Sequence, residues 1–188
     1  MEILIKKEHF LQMPWKNGQG VTQEIDIFPE NADFSKGDFH WRLSSAEIKS
    51  DTSFSQFPGY DRHLVVLSKD GIRLNERVLS PLDVYSFHGE DLIQCSLLAG
   101  PIVDLGIIYR RDLYSCEMKI LTVFQNEKIF FGEGIHYLKS ISATMVVNSV
   151  SVISDEVYKI EGSEIADIQC ATYPLQILKI SIVMKSAK

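Results

Sequence analysis

Apolar and polar side chains alternate with period two from Val21 to Ile27, so residues 21–28 read as a strand. Such a strand carries Thr22, Glu24 and Asp26 on one face and Val21, Ile25 and Ile27 on the other. Similar β-rich runs recur along the chain, broken at short intervals by Gly, Pro, Asn or Asp. Residues 63–68 and 72–74 flank Lys69-Asp70-Gly71, and the Asp-Gly step predicts a hairpin there. Asn75-Glu76 turns the chain again into residues 77–79, and Ser80-Pro81 leads into a strand ending near Phe87. Further apolar runs at 93–98 and 102–109 are separated by Ala99-Gly100-Pro101. No long segment has helical periodicity, although short stretches at 29–38 and 112–116 are compatible with single helical turns. The pattern predicts an all-β sandwich or barrel.

The order of features repeats. Residues 65–87 can be laid over residues 146–168, which places Ile72-Arg73-Leu74 near Val150-Ser151-Val152 and Asn75-Glu76 near Ser154-Asp155. Two similar β-units are expected, one over residues 1–114 with the ligand pocket and one over 115–188. The N-terminal strand is allowed to cross between them.

The first predicted strand follows Met13-Pro14-Trp15-Lys16-Asn17-Gly18-Gln19-Gly20. Asn17-Gly18 supplies left-handed backbone conformations at little cost, and Gly20 permits close backbone approach. A turn that feeds polar groups onto one strand face can build a pocket; the plainer alternative is a hairpin loop before a half-exposed strand. Residues 39–48 read as a strand that sets Arg42 and Ser44 on one face. An aromatic turn then runs through Phe54, Phe57, Pro58 and Gly59 into Asp61-Arg62. Arginines in such places either pair with a carboxylate, Glu24, Asp61 and Asp104 being candidates, or grip a ligand carboxylate through two parallel hydrogen bonds. Trp15, Trp41, Phe54 and Phe57 can wall such a site.

Hydrophobic residues at 45% and charged residues at 23% exclude a mostly disordered chain. A net charge of −6 argues against general affinity for nucleic acid or an anionic membrane. Cys95, Cys116 and Cys170 are scattered, which fits a reducing compartment better than a disulfide framework. With no signal-peptide pattern at the start and no apolar run of membrane-spanning length, a cytoplasmic protein is expected.

The blocks Pro14-Trp15-Lys16-Asn17-Gly18-x-Gly20-x-Thr22-x-Glu24, Trp41-Arg42-Leu43-Ser44 and Phe54-Ser55-x-Phe57-Pro58-Gly59-x-Asp61-Arg62 resemble the HutD/Ves family. Phe87-x-Gly89-Glu90 and Gly100-Pro101-x-x-Asp104-Leu105, with Arg110-Arg111, continue the resemblance in the same order. Beyond Arg111 it persists only as pattern. The resemblance implies a bicupin, two double-stranded β-helix (jelly-roll, RmlC-like) units in one chain. It also implies a link, in some bacteria, to histidine utilisation through an intermediate such as formylglutamate or urocanate; Ves members are associated with cold and stress responses. On this resemblance Trp15, Asn17, Gly18, Gly20, Thr22 and Glu24 form one wall of the site. Arg42, Ser44, Phe57, Asp61, Arg62 and Asp104 form the rest. The chain departs from the family pattern at Gln19, at Gln23 (often Arg) and at Gly106 (usually Asn).

Metal-dependent cupins use a His-x-His pair, a following Glu and a later His. His9, His40, His63, His88 and His136 include no such pair, so a metal-free site without cofactor is expected. No nucleophile elbow, P-loop or dinucleotide fingerprint occurs. Cys95 and Cys116 sit in apolar strand contexts that favour inert thiols. The leading expectation is a binding protein that senses or modulates a small anionic metabolite. Its rival is a metal-independent isomerase or lyase acting on a small carboxylate, with Glu24 or His63 as base; an interaction protein with a vestigial barrel site is a third reading. A homodimer through an exposed sheet face is compatible with the first two.

Overall fold

The computed structural model describes residues 1–15 and 20–186. The chain divides into two compact units. The first spans Phe10–Leu113; the second combines Met1–His9 with the chain from Tyr114 onward. After β1 (Glu2–Ile5), the first unit runs through β2 (Leu11–Pro14), β3 (Gly20–Phe28), β4 (Trp41–Ile48), β5 (Thr52–Ser53) and β6 (Tyr60–Val66). It continues with β7 (Ile72–Leu74), β8 (Arg77–Leu79), β9 (Val84–His88), β10 (Gln94–Leu97) and β11 (Ile102–Arg110). A six-stranded sheet of order β2-β3-β4-β11-β6-β9 faces a four-stranded sheet of order β5-β10-β7-β8. All ladders are antiparallel.

Alternation along the large sheet sorts its residues into rows. Arg42, Ile108 and Arg62 lie opposite one another across β4, β11 and β6. Ser44, Gly106 and Leu64 form the next row, and Ala46, Asp104 and Val66 the one after. These rows face the barrel interior. At one end that interior is closed by a core of Ile48, Leu64, Val66, Ile72, Leu74 and their neighbours. Phe39, Tyr60, Ile27 and Ile108 form a smaller cluster near the arginine row.

The second unit holds β12 (Tyr114–Val123), β13 (Glu127–Phe131), β14 (Ile135–Ser140) and β15 (Met145–Val147). β16 (Val150–Val152), β17 (Val157–Glu161), β18 (Glu164–Cys170) and β19 (Leu175–Met184) follow. Its sheets are ordered β1-β17-β14-β19-β12 and β13-β18-β15-β16. Taken strand by strand, the order β4-β11-β6-β9 recurs as β12-β19-β14-β17, and β5-β10-β7-β8 recurs as β13-β18-β15-β16. The repeat is real, but its register differs from the expected overlay. Ile72–Leu74 corresponds to Met145–Val147, not to Val150–Val152.

An asparagine clamp marks the same point in both units. The Asn75 amide donates to the Gln94 carbonyl and Asn75 Oδ1 accepts the Gln94 amide, at 2.9 and 2.8 Å. Asn148 makes the same pair of bonds with Asp167, at 3.0 and 2.8 Å. Both asparagines have positive φ, 52° and 47°, a conformation asparagine tolerates better than most residues.

Three local expectations are corrected. β6 pairs with β11 and β9, while β7 pairs with β8 and β10, so Lys69-Asp70-Gly71 connects two sheets instead of closing a hairpin. Within 29–38 a single 3-10 turn forms at Phe34–Lys36, whereas 112–116 holds a turn that leads into β12. The register shifts between Glu24 and Asp26, a bulge at Ile25. Glu24 therefore faces Ser44, Asp26 faces Leu43 and Ile27 faces Arg42, which moves Asp26 off the Thr22–Glu24 face and brings Ile27 onto it. No helix among the described residues is long and apolar enough to cross a membrane.

Candidate functional site

A cavity of about 540 Å³ opens over the interior rows of the first unit. Trp15, Thr22, Arg42, Ser44, Phe57, Arg62 and Asp104 line it. The Trp15 indole Nε1 donates to the Thr22 hydroxyl at 2.8 Å, which fixes the ring across the start of β3. Gly20 lies behind that ring: a Cβ there would come within 2.9 Å of the indole and 2.6 Å of the Glu47 carbonyl. Gly20 thus serves the site by letting Trp15 pack down. Asn17 and Gly18 lie outside the described residues.

The two arginines are held in different ways. Arg42, 4% exposed, donates through Nε to Glu24 at 2.6 Å and through Nη2 to the Met13 sulfur at 3.1 Å. The Phe34 ring covers its guanidinium at 3.9 Å. Burial lowers its pKa and Glu24 opposes the shift. Glu24 therefore neutralises Arg42 from β3 and does not itself line the cavity.

Arg62 has no carboxylate within ion-pair distance among the described residues. Its Nη1 donates to the Ser55 carbonyl at 3.0 Å, and its guanidinium lies 4.9 Å from the Phe87 ring and 5.2 Å from Phe54. Phe57 stands at 5.8 Å. Burial pulls its pKa down to about 10, with Arg42 adding to the shift and Asp104 opposing it. It stays charged at neutral pH, a cation in an aromatic collar with hydrogen-bonding capacity to spare. Met13, Phe34 and the Ser55 carbonyl had no signal in the sequence pattern.

Asp104, 6% exposed, accepts the Ala46 amide on Oδ1 at 3.1 Å. Burial pushes its pKa up to about 7, although the Ala46 amide and Arg62 pull it down. Gly106 adds no side chain to the row between Asp104 and Ile108.

Asp61, expected in the site, lies on the opposite face of the sheet. It is the immediate neighbour of Arg62 in β6, and adjacent strand residues point to opposite sides. Its carboxylate pairs with His88 Nδ1 at 2.8 Å and Arg111 Nε at 3.2 Å. His63 turns the same way, bonding Ser86 through Nδ1 at 2.7 Å and the Tyr109 hydroxyl through Nε2 at 3.3 Å. Trp41 also leaves the cavity and stacks on Phe28 at 4.4 Å. Among the described residues, no three His, Cys, Asp or Glu side chains are grouped so as to hold a metal ion.

A protein-family model described as HutD matches residues 7–172. The chain belongs to the HutD family. An uncharacterized 21.2 kDa protein from the hutC 3′ region of Pseudomonas putida is 39% identical over 123 residues, 62% of this chain and 62% of that protein. Protein Ves from Citrobacter koseri is 34% identical over 126 residues, 64% of this chain and 63% of its own length. The matched stretch thus spans less than two thirds of either relative. HutD from Pseudomonas fluorescens SBW25, solved in a formate condition, superposes with a TM-score of 0.82 at 24% identity, covering 99% of this chain and 100% of that one. A cupin 2 conserved barrel domain protein from Leptotrichia buccalis gives a TM-score of 0.62 at 11% identity, covering 91% and 92%. At these identities the two structures show the fold, which is all-β and cupin-like.

Proposed function

We propose that this HutD-family protein binds a small anionic metabolite in the first-unit cavity and acts as a sensor or modulator. Arg62 carries the reading: a half-buried guanidinium that faces the cavity with no carboxylate partner among the described residues. A partly desolvated cation without a counter-charge is less well solvated than in water, and a ligand carboxylate relieves that through charge-assisted hydrogen bonds. Trp15, Phe54 and Phe57 offer apolar cover for the rest of the ligand, and Ser44 a hydroxyl. The hutC-region relative supports a histidine-degradation intermediate as the first ligand to try.

Thermal unfolding against urocanate, formylglutamate, formiminoglutamate and formate tests this, because a ligand that prefers the native state raises the melting temperature by mass action. A rise with at least one of them that is lost in Arg62→Ala is expected. No rise with any member of the panel would remove the histidine-pathway assignment. The rival isomerase or lyase is less favoured, since Glu24 is ion-paired with Arg42 and the His63 ring bonds Ser86 and Tyr109. Turnover of a bound compound would be the signature of such an enzyme.

A further inference from the structure

Arg62 and its collar account for an anion, but they leave Asp104 without a task. Asp104, 6% exposed, faces the cavity and uses only Oδ1, on the Ala46 amide. Oδ2 has no hydrogen-bond partner among the described residues. The fold itself does not ask for a carboxylate here. Asp104 lies opposite Ala46 and Val66, and the matching place in the second unit, opposite Leu121 and Ser140, is filled by Ile177 in the apolar core.

Position along the floor supplies the second observation. Arg62 faces Ile108, four residues from Asp104 on β11, so the two rows are about 13 Å apart before the arginine reaches inward. Gly106 occupies the row between them, paired with Ser44 and Leu64, and puts nothing in the way. A Cβ at Gly106 would stand 3.3 Å from the His63 carbonyl, so a side chain there is tight but not forbidden.

We propose that Asp104 selects the far end of the ligand: the cavity takes a carboxylate whose other end bears an N–H donor, with the linking chain lying over Gly106. This rests on the anion-binding reading above. The charges argue for it. Glu24 already neutralises Arg42; a ligand carboxylate then neutralises Arg62, and the N–H group meets Asp104, so each buried charge has a partner. A dicarboxylate would instead set its second anion against Asp104, and a plain alkanoate would leave Asp104 facing a methyl group.

Isothermal titration calorimetry at pH 8 with 4-aminobutanoate, 5-aminopentanoate and 6-aminohexanoate tests the assignment. The controls are the dicarboxylates and alkanoates of equal length, and acetate. The best amino acid should bind about tenfold or more tighter than either control of its length. Asp104→Asn should erase that order, and Gly106→Asn should weaken the longer probes while sparing acetate. An equal or better dicarboxylate or alkanoate in the wild type would overturn the proposal without any variant having to fold. So would an unchanged order in a folded Asp104→Asn protein. If no carboxylate in the series binds, acetate included, the anion-site reading fails and this inference with it.

Discussion

Arg42 and Arg62 both lie opposite Ile108 in one cross-sheet row, yet among the described residues a carboxylate meets only Arg42. Their replacement by alanine should therefore have unlike consequences. Arg42→Ala strands the nearly buried Glu24 and should cost about 3–5 kcal/mol in urea unfolding. Arg62→Ala removes a cation held by one carbonyl and three rings, and the relief of its burial offsets those contacts. A change of about 1 kcal/mol or less is expected, together with loss of anion-induced stabilisation. Equal destabilisation by the two variants would make Arg62 a structural residue.

Asp104 predicts how stability changes with pH. Its folded pKa of about 7 lies above the ordinary 3.8, so the folded state holds the proton more tightly than the unfolded chain. The stabilisation from that proton is full below about pH 4 and disappears as pH rises through 7. At pH 8 the ionised carboxyl is a burden of at most about 4 kcal/mol. Asp104→Asn should accordingly gain on the wild type between pH 4 and pH 8. A difference that does not vary with pH would refute the raised pKa.

Gly20 predicts a steric effect on the Trp15 wall. A Cβ cannot coexist with the indole and the Glu47 carbonyl where they stand, so Gly20→Ala should cost about 1–3 kcal/mol. It should also shift the Trp15 indole N–H resonance, as should Thr22→Val, which removes that proton's acceptor. An unmoved indole resonance in Gly20→Ala would show that the ring does not rest on residue 20.

On the opposite face, His88 bonds Asp61, and this raises its pKa above 6.5 while Arg111 opposes the rise. The pair's contribution to stability is fully present below pH 6.5 and fades as pH passes the folded value. NMR titration of Asp61→Asn should bring the His88 pKa down. If it stays where it was, the Asp61 carboxylate is not the cause.

Period-two alternation was enough to read most strands, and it places Arg42 and Ser44 on one face. The same rule read one step further would have set Asp61 opposite Arg62, because neighbours in a strand cannot share a face. Other parts of the site had no local signature. The bulge at Ile25 that moves Asp26 depends on how β3 pairs with β4, and alternation within β3 alone cannot reveal it. Met13 reaches Arg42 from β2 and Phe34 from a 3-10 turn, and Ser55 meets Arg62 with backbone, whose chemistry is the same at every residue. The Asp70-Gly71 hairpin failed for a related reason. A turn signal shows that the chain bends, not which sheet it enters next.

The paired clamps of Asn75 and Asn148 give the molecule an internal reference. Each joins matching strands within its own unit, so features common to both units belong to the architecture that any such barrel requires. Features found in one unit alone stand out by subtraction. Ile177 shows how a barrel of this chain is completed by an apolar side chain at that place, and the Ile177 unit can serve as the reference against which substitutions at Asp104 are judged. Asp104→Ile, which copies that apolar filling into the cavity, is then a graft with a native precedent in the same polypeptide.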